Sequence, residues 1–234
     1  MDEIDAIVLF LEEWMIKKNF ASGSSRILAN IPASWKTIFF KRGYREKLSR
    51  IVCSLTIEDP LLKIVRERYS SVQDDSIKLL SLKECWNKNT MKKIAEMIAL
   101  SLIDSPDARI GLIKKNYRVE ETIEELKSLK NSLNYHSSSI LMLKQHDGRE
   151  QVAGICLVTS WEGSLLVYML VVYPRYRNKG YATALLSRTI SALKETGHYE
   201  LFLFVTRGND AALRVYEKLG FKPLFYISYV EKFF

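Results

Sequence analysis

A short basic loop between an apolar run and a helical pattern is the first segment whose residues could do chemistry. The apolar run Ser164–Tyr173 ends at Pro174, and the loop Arg177–Ala182 leads into the helical pattern. The start of a helix directs backbone N–H groups and the positive end of the helix dipole at one point, which favours phosphate binding. Gly180 and Ala182 are small, so a phosphate could approach the main chain closely. The loop therefore predicts an anion site, although an ordinary strand-to-helix connection with surface arginines fits the same residues.

A second segment places polar and aromatic side chains on one helix face. The apolar run Glu200–Thr206 is followed by a helix that begins at Asn209 or Asp210 and ends before Gly220. Asn209 and Tyr216 are separated by seven residues and therefore lie on the same side of the helix. Taken alone, Tyr216 is typical of a core aromatic residue.

Together the two segments resemble the signature of the GNAT superfamily of acyl-CoA-dependent N-acyltransferases. That signature is Gln/Arg-x-x-Gly-x-Gly/Ala after a strand, followed about twenty-five residues later by a strand and an Asn-x-x-Ala helix. The residues that match it are Arg177, Gly180, Ala182, Asn209, Ala212, Tyr216 and Leu219-Gly220-Phe221. The likeness is close over residues 164–223 and looser back to about residue 76. No glycine-rich dinucleotide or phosphate-loop pattern competes with it.

The resemblance implies acetyl-CoA as cosubstrate and a role for each matched segment. The pantetheine arm would lie between the strands Ser164–Tyr173 and Glu200–Thr206, and Tyr216 would be the general acid that protonates the departing thiolate. Direct attack of an amine on the thioester is expected, without a metal and without a covalent enzyme intermediate. The cofactor-binding residues that it implies are Val171, Val172, Arg177, Asn178, Lys179, Gly180, Tyr181, Ala182, Thr183 and Asn209.

The general base is left open by the sequence. The two strands that would flank the cofactor offer Tyr168 and otherwise mostly apolar residues. Relatives in the family often carry a carboxylate or histidine there, and this chain departs from that pattern. A water-relayed proton, Tyr168, Asp104 or Asp107 are the alternatives.

The order of elements around these segments predicts an α+β domain with a mixed sheet. From residue 76 the patterns read β-α-α-β-β-β-α-β-α-β, an antiparallel meander joined to a βαβ unit, and we expect a final pair of aromatic strands over 221–234. Before it, residues 1–72 read as a helical N-terminal region of unknown role. Its predicted helices are Ile4–Lys18, Ala33–Phe40, Tyr44–Leu55 and Leu61–Tyr69. We therefore expect two regions, 1–72 and a GNAT-like domain over 76–234.

Composition restricts the class of protein. The chain has 234 residues, 47% hydrophobic and 26% charged, which is typical of a folded globular protein. Three dispersed cysteines and three histidines predict no metal site and a reducing compartment, the cytoplasm or nucleus. No apolar run reaches the ~20 residues of a membrane span, so no membrane partner is expected.

Three functions compete at this point. The first is an N-acetyltransferase acting on an amine of unknown identity, either a peptide or protein or a small molecule. The second is a non-catalytic acyl-CoA-binding or protein-interaction module. The third is a nucleic-acid-associated acetyltransferase, which the net charge of +8 allows but which the even spread of Lys and Arg does not support. The oligomeric state is not indicated by any pattern.

Overall fold

The computed structural model describes residues 26–58, 76–103, 105, 108, 118–161 and 163–233. The strands are β1 Arg26–Pro32, β2 Arg45–Thr56, β3 Ile77–Ser81, β4 Ser139–Lys144, β5 Glu150–Trp161, β6 Ser164–Val172, β7 Glu200–Thr206 and β8 Lys222–Phe233. The helices are α1 Lys36–Lys41, α2 Leu82–Cys85, α3 Lys88–Leu102, α4 Val119–Ser128, α5 Tyr181–Glu195 and α6 Asp210–Lys218. None of these helices is long and apolar enough to cross a membrane.

Two compact units divide the described residues. The large unit comprises the described residues of 53–204 together with 209–223, and the small unit comprises 26–52, 205–208 and 224–233. The boundary that the sequence predicts near residue 72 falls in the undescribed stretch 59–75 and stays a prediction.

The sheet of the large unit is mixed, as the element order predicts. Its strand order is β3-β4-β5-β6-β7. Neighbours from β3 to β6 are antiparallel, while β6 and β7 are parallel. The chain leaves the carboxyl end of β6, passes through the loop 173–180 into the crossover helix α5 and returns as β7 beside β6. The start of α5 therefore follows the end of β6 after a short loop.

Helices cover both faces of this sheet, which explains why β4 and the middle of β5 are apolar without alternation. Helices α3 and α4 form one core with β4, β5 and the end of β6, centred on side chains such as Ile98, Leu126 and Ile155. Helix α5 packs on β4 and β5, where the buried Ser139 hydroxyl donates to the Leu185 carbonyl at 2.9 Å.

Helix α3 begins where a side chain can satisfy its first amides. Asn87 is the N-cap, and its Oδ1 accepts a hydrogen bond from the Thr90 N–H at 2.9 Å. The sequence predicts this helix after Asn89-Thr90, from about Met91, and the observed helix begins three residues earlier at Lys88. Helix α4 begins at Val119 as expected, and a 3₁₀ turn over Leu129–Asn131 completes the predicted span to about residue 133.

The small unit contains strands where the sequence predicts only helix. Strand β1 pairs antiparallel with β8 from Arg26↔Phe233 to Pro32↔Ile227. The predicted helix Tyr44–Leu55 is wrong, because these residues enter β2. Of the predicted N-terminal helices, the one over Ala33–Phe40 is found as a 3₁₀ turn followed by α1.

Two further expectations concern the ends of the chain. The aromatic C-terminal segment is one long strand, β8, and not the predicted pair of strands, since it runs without a turn from Lys222 to Phe233. The predicted helices Ile4–Lys18 and Leu61–Tyr69 lie outside the described residues.

Candidate functional site

The parallel strands β6 and β7 pair over a short distance only. Their paired positions are Leu166 with Phe202 and Val167 with Leu203, whereas β6 continues to Val172. Within the described large unit, residues Met169–Val172 of β6 therefore lie beyond the last pair with β7. This edge of β6 offers main-chain N–H and C=O groups that an extended ligand could bind.

A β-bulge lies where the pairing ends. On the other side of β6, Leu157 pairs with Met169 and Val158 pairs with Val167, so Tyr168 is the extra residue of a bulge between these two pairs. A bulge bends its strand and increases the local twist. The bend accounts for the separation of β6 from β7 immediately after Val167.

The loop after β6 turns its main chain into a helix N-terminus. A 3₁₀ turn over Pro174–Tyr176 is followed by Asn178 and Gly180, which have left-handed φ values of 64° and 78°. Gly180 is the N-cap of α5, and the first bond that closes a helical turn runs from the Ala184 N–H to the Gly180 carbonyl at 3.0 Å. The amides of the first turn of this fifteen-residue helix thus come directly after the loop and form an anion-binding geometry.

The predicted cofactor residues of the loop divide into two groups by exposure. Arg177, Asn178, Lys179 and Gly180 are exposed, and Tyr181, Ala182 and Thr183 are half-buried in the first turn of α5. Val171 is buried and Val172 half-buried at the end of the unpaired edge of β6. The predicted cofactor-binding residues of β6 and those of the loop therefore follow each other along the chain.

The Arg177 guanidinium is directed at main-chain carbonyls. Its Nε donates to the Val172 carbonyl at 3.3 Å, and its terminal NH2 group donates to the Ser101 carbonyl at 3.1 Å. Ser101 lies in the last turn of α3, where a cation is favoured by the helix dipole. Arg177 thus joins the end of α3 to the end of β6 and to the loop.

Tyr176 organises the other cations of the loop, and it is not among the residues predicted from the sequence. The Arg175 guanidinium lies 4.7 Å from the centre of its ring, and the Lys179 ammonium lies 5.9 Å away. The Tyr176 hydroxyl donates to Gln151 Oε1 at 3.2 Å and accepts from Gln145 Nε2 at 3.3 Å. An aromatic residue between cations was the available signal, because cation–π pairs favour that arrangement.

A cleft of about 600 Å³ lies between α3, the β4–β5 hairpin and the residues that follow β6. Its walls carry both signs of charge, and several of these groups are already paired. Arg149 pairs with Asp147, and Glu150 pairs with Lys78. A phosphate site is therefore better supported at the start of α5 than in this cleft.

Gly154 brings α5, β5 and β6 close together below the loop. A Cβ at this position would lie 2.9 Å from Leu185 Cδ1, 3.0 Å from the Val171 carbonyl oxygen and 3.3 Å from Val172 Cγ2. Only glycine allows this approach without displacing the end of β6. The residue was not recognised in the sequence, since nothing in a single strand pattern shows what crosses it.

Helix α6 places the second predicted segment. Asn209 is the N-cap of α6, where its Oδ1 accepts from the Ala212 N–H at 3.3 Å. Tyr216 is 8% exposed, and its ring centre lies 5.8 Å from that of Phe221. The Phe221 N–H donates to the Tyr216 carbonyl at 3.1 Å, which fixes the turn after the helix.

Aromatic side chains of β5, β6 and β7 form a further part of the candidate site. Phe202 and Phe204 alternate along β7 and are half-buried, and the Trp161 ring packs edge-on against both at 6.1 Å and 5.4 Å. Tyr168 is 38% exposed, and its hydroxyl donates to the Glu125 carboxylate of α4. Of the other candidates for the base, Asp104 and Asp107 lie outside the described residues.

The described residues contain neither a cluster of metal-binding side chains nor a reactive thiol. The described residues contain no group of three or more His, Cys, Asp or Glu side chains that could hold a metal ion. Burial raises the pKa of the Cys156 thiol to about 12, and burial also raises the pKa of Cys53 and Cys85. These cysteines are therefore protonated at neutral pH.

Comparison with known proteins decides the family. The sequence model of the acetyltransferase (GNAT) family matches residues 97–221, more than half of the chain. The chain belongs to the GNAT acetyltransferase family. The match runs from α3 through Phe221 and contains both segments singled out in the sequence, so the predicted family is confirmed.

Several curated GNAT relatives match shorter segments. Mycothiol acetyltransferase of Clavibacter sepedonicus is 33% identical over 88 residues, which cover 38% of this chain and 28% of that protein. An acetyltransferase of Yersinia pestis strain Pestoides F is 42% identical over 55 residues, 24% of this chain and 39% of that protein. N-alpha-acetyltransferase MAK3 of Arabidopsis thaliana is also 42% identical over 55 residues, 24% of this chain and 29% of that protein. The matched segments thus span well under half of these relatives.

Solved GNAT structures share the fold over nearly the whole chain. A GCN5-related N-acetyltransferase from Sphaerobacter thermophilus has a TM-score of 0.67 at 16% identity, covering 97% of this chain and 66% of that one. A tandem GNAT protein from the clavulanic acid biosynthesis pathway has a TM-score of 0.64 at 13% identity, covering 94% and 68%. The predicted GNAT fold is therefore confirmed.

Proposed function

We propose that the chain transfers an acetyl group from acetyl-CoA to a primary amine by direct attack of the amine on the thioester. The observation that carries this proposal is the end of β6: the segment Met169–Val172 lies beyond the last residue pair with β7 and leads into the Gly180 N-cap of α5. The α5 amides would bind the pyrophosphate, and the β6 edge would bind the pantetheine arm.

The residues at this site fit acetyl-CoA in three respects. The left-handed Asn178 and Gly180 direct the chain into the helix start, and the small Ala182 follows within its first turn. Gly154 holds the Val171 and Val172 main chain close against α5. When bound, acetyl-CoA supplies the thioester; the chain would supply N–H groups that polarise its carbonyl and exclude water.

Tyr216 is the proposed general acid. The phenol of tyrosine has a pKa of ~10 and is a weaker acid than a thiol, which has a pKa of ~8.5. The phenol therefore donates its proton to sulfur only while the thiolate is forming, in a site from which water is excluded. Burial of the Tyr216 ring against Phe221 supports such a site. Asn209 is proposed to contact the pantetheine arm through the part of its amide that does not cap α6.

The aromatic side chains Trp161, Phe202 and Phe204 favour an acceptor in which the amine is attached to an apolar group. The names of two relatives, a mycothiol acetyltransferase and an N-alpha-acetyltransferase, span small-molecule and peptide acceptors. Polyamines are disfavoured by the net charge of +8.

A thiol-release assay tests the proposal. The panel contains acetyl-CoA with phenethylamine, a peptide with an apolar N-terminal residue, a lysine-containing peptide with a blocked N-terminus, free amino acids and spermidine. We expect release with at least one apolar amine and little with spermidine. Tyr216→Phe should lower kcat by about 10²-fold or more, the usual effect of losing a general acid, with an unchanged Kd for CoA. The matched control is Tyr199→Phe, since Tyr199 is 55% exposed.

A non-catalytic CoA-binding or interaction module is the alternative function. It is favoured by one observation in the small unit, where Leu224, Phe225 and Tyr226 are consecutive and exposed on β8. CoA binding without thiol release for any amine of the panel would support this alternative and would refute acetyl transfer.

A further inference from the structure

The contact between Tyr168 of β6 and Glu125 of α4 joins the proposed reaction site to a carboxylate. We propose that Tyr168 accepts the proton of the attacking amine while its own hydroxyl proton passes to Glu125. Tyr168 is then the catalytic residue, and Glu125 is the residue that positions it and receives its proton. This inference rests on the proposed acetyl transfer.

Tyr168 is the bulged residue of β6. It lies between Val167 and Met169, whose partners on β5 are consecutive, at the point where the strand bends. Its side chain is exposed to 38% and reaches α4, where the hydroxyl donates to the Glu125 carboxylate. The same bulge ends the pairing with β7, so Tyr168 lies where β6 leaves its neighbour.

Helix α4 is held in place by the segment that follows it. Leu126 is fully buried in the core with α3, and Leu133 forms an antiparallel bridge to Thr159 of β5. The Asn134 N–H donates to the Val158 carbonyl at 2.8 Å, and the Ser160 N–H donates to the Ser132 carbonyl at 3.0 Å. Since β5 pairs directly with β6, this anchoring fixes the position of Glu125 relative to Tyr168.

The position of Tyr168 suits an acceptor amine. It is the first residue beyond the last pair with β7, and it lies three residues, about 10 Å along a strand, before Val171, where the thioester carbonyl is proposed to bind. An amine that attacks this carbonyl from the open side of β6 would approach between the two positions. The half-buried Phe202 pairs with Leu166, two residues before Tyr168, and would contact the apolar part of the acceptor.

Few other groups on the two flanking strands could take the proton. Strand β6 contains no Asp, Glu or His, and in β7 the one such residue is Glu200, which is exposed and is the first residue of the strand. Tyrosine alone is a weak base, because its phenol has a pKa near ~10 and is protonated at neutral pH. A carboxylate that accepts the phenolic hydrogen removes this difficulty, since it takes up the proton that Tyr168 must lose in order to accept one.

The proton transfers balance over the reaction. The amine arrives deprotonated, having lost one proton to solvent, and its nitrogen forms a bond to the thioester carbon while the carbon–sulfur bond breaks. The nitrogen's proton moves to the Tyr168 oxygen, the Tyr168 hydrogen moves to Glu125, and the sulfur takes a proton from Tyr216. Exchange with water then returns Glu125 to its carboxylate form and Tyr216 to its phenol, giving one amide and one free CoA thiol.

The test compares Tyr168→Phe, Glu125→Gln and the double variant with Glu124→Gln as the matched control. Glu124 is adjacent on α4 and pairs with Lys127 instead. With the fastest acceptor of the amine panel, we expect kcat to fall by about 10²-fold in each single variant and no further in the double variant, because both remove one proton path. The KM for acetyl-CoA should stay within about twofold of the original, and Glu124→Gln should behave like the original protein.

Chemical rescue separates a proton path from a structural contact. Added formate should restore part of the kcat of Glu125→Ala, since a small carboxylate can occupy the space, and should leave Tyr168→Phe unchanged. Full kcat in Glu125→Gln, or additive losses in the double variant, would overturn the inference while leaving acetyl transfer intact. Absence of thiol release from the original protein with every panel amine would instead refute the proposed function itself.

Discussion

Gly154→Ala is the substitution for which the structure supports the most detailed prediction. Gly154 pairs with Leu141 on one side and Val172 on the other, so its position in the sheet is fixed from both sides. The added methyl group would lie 2.9 Å from Leu185 Cδ1 and 3.0 Å from the Val171 carbonyl oxygen. Leu185 is fully buried, and the Val171 oxygen belongs to the main chain, so displacing either atom costs free energy.

Two effects oppose each other in this variant. Replacing glycine by alanine at an unstrained position stabilises a protein by about 0.4–1 kcal/mol, because it lowers the entropy of the unfolded chain. Overpacking a dense core costs about 1–3 kcal/mol. The clash should win by about 1–2 kcal/mol. At about 2–4 °C per kcal/mol for a chain of this size, the Tm should fall by roughly 2–8 °C.

The position of the clash predicts a second effect, on the cofactor. If the end of β6 binds the pantetheine arm, moving the Val171 main chain by a few tenths of an ångström weakens CoA binding beyond the loss of stability. Thermal unfolding gives the first quantity, and calorimetric titration with CoA gives the second.

Gly163→Ala is the control for this experiment. Gly163 has a φ of +81° and open space around its added methyl group, so alanine there costs backbone strain at the β5–β6 turn without a clash. Both variants should lose stability, and only Gly154→Ala should lose CoA affinity. An unchanged Tm in Gly154→Ala would refute the packing argument, and a lowered Tm with unchanged CoA affinity would refute the role of β6 in binding.

Two further predictions concern thiols and the loop. The pKa of Cys156 lies at about 12 in the folded protein against an ordinary value of 9.0. The folded state therefore holds this proton longer, so stability falls as pH rises from about 9 towards 12, and a thiol reagent at pH 8 should label Cys156 only after unfolding; labelling of the native protein at this residue would contradict the burial. Tyr176→Leu should raise the Kd for CoA by about 5- to 30-fold, since two cations lose a ring worth roughly 0.5–1 kcal/mol each, while Tyr176→Phe should change it little; equal affinities of the two variants in a titration would exclude the ring.

Most elements of the large unit could be predicted because their patterns are local; the short helix α2 was missed, since Ser76–Lys83 reads as one strand. Strands β4, β5 and β6 are apolar runs between hairpin turns, and helix α5 repeats its apolar residues at helical spacing after a glycine. Glycines at turns and caps fixed their limits to within about two residues. Local rules sufficed here because the neighbours of each element confirm what its own sequence favours.

Strand β2 shows why a local sequence pattern can predict the wrong element in the small unit. Leu48, Ile51, Val52 and Leu55 recur at intervals of three and four, which is typical of an amphipathic helix. In the structure these residues lie in a strand in which Ile51, Val52 and Cys53 are all buried. Burial of consecutive residues removes the alternation by which a strand is recognised, so the strand partners decided the outcome and these do not appear in the local sequence.

The candidate site divides in the same way. Gly180 and the residues around it could be found because a helix start after a strand is a sequence feature. Gly154 and the partner of Tyr168 could not, because each depends on what a different element brings to it. Glu125 lies forty-three residues from Tyr168, and its helix pattern alone gives no reason to choose it over its neighbour Glu124.

The bulge at Tyr168 links the two halves of the proposed reaction through one inserted residue. Without it, Tyr168 would lie in register with β5, and pairing with β7 could continue along the edge that is proposed to bind acetyl-CoA. With it, the strand bends away from β7 and the phenol reaches α4. In this proposal, the opening of the donor site and the position of the base both depend on the bulge. A strand without Asp, Glu or His could therefore still serve an acetyl transfer.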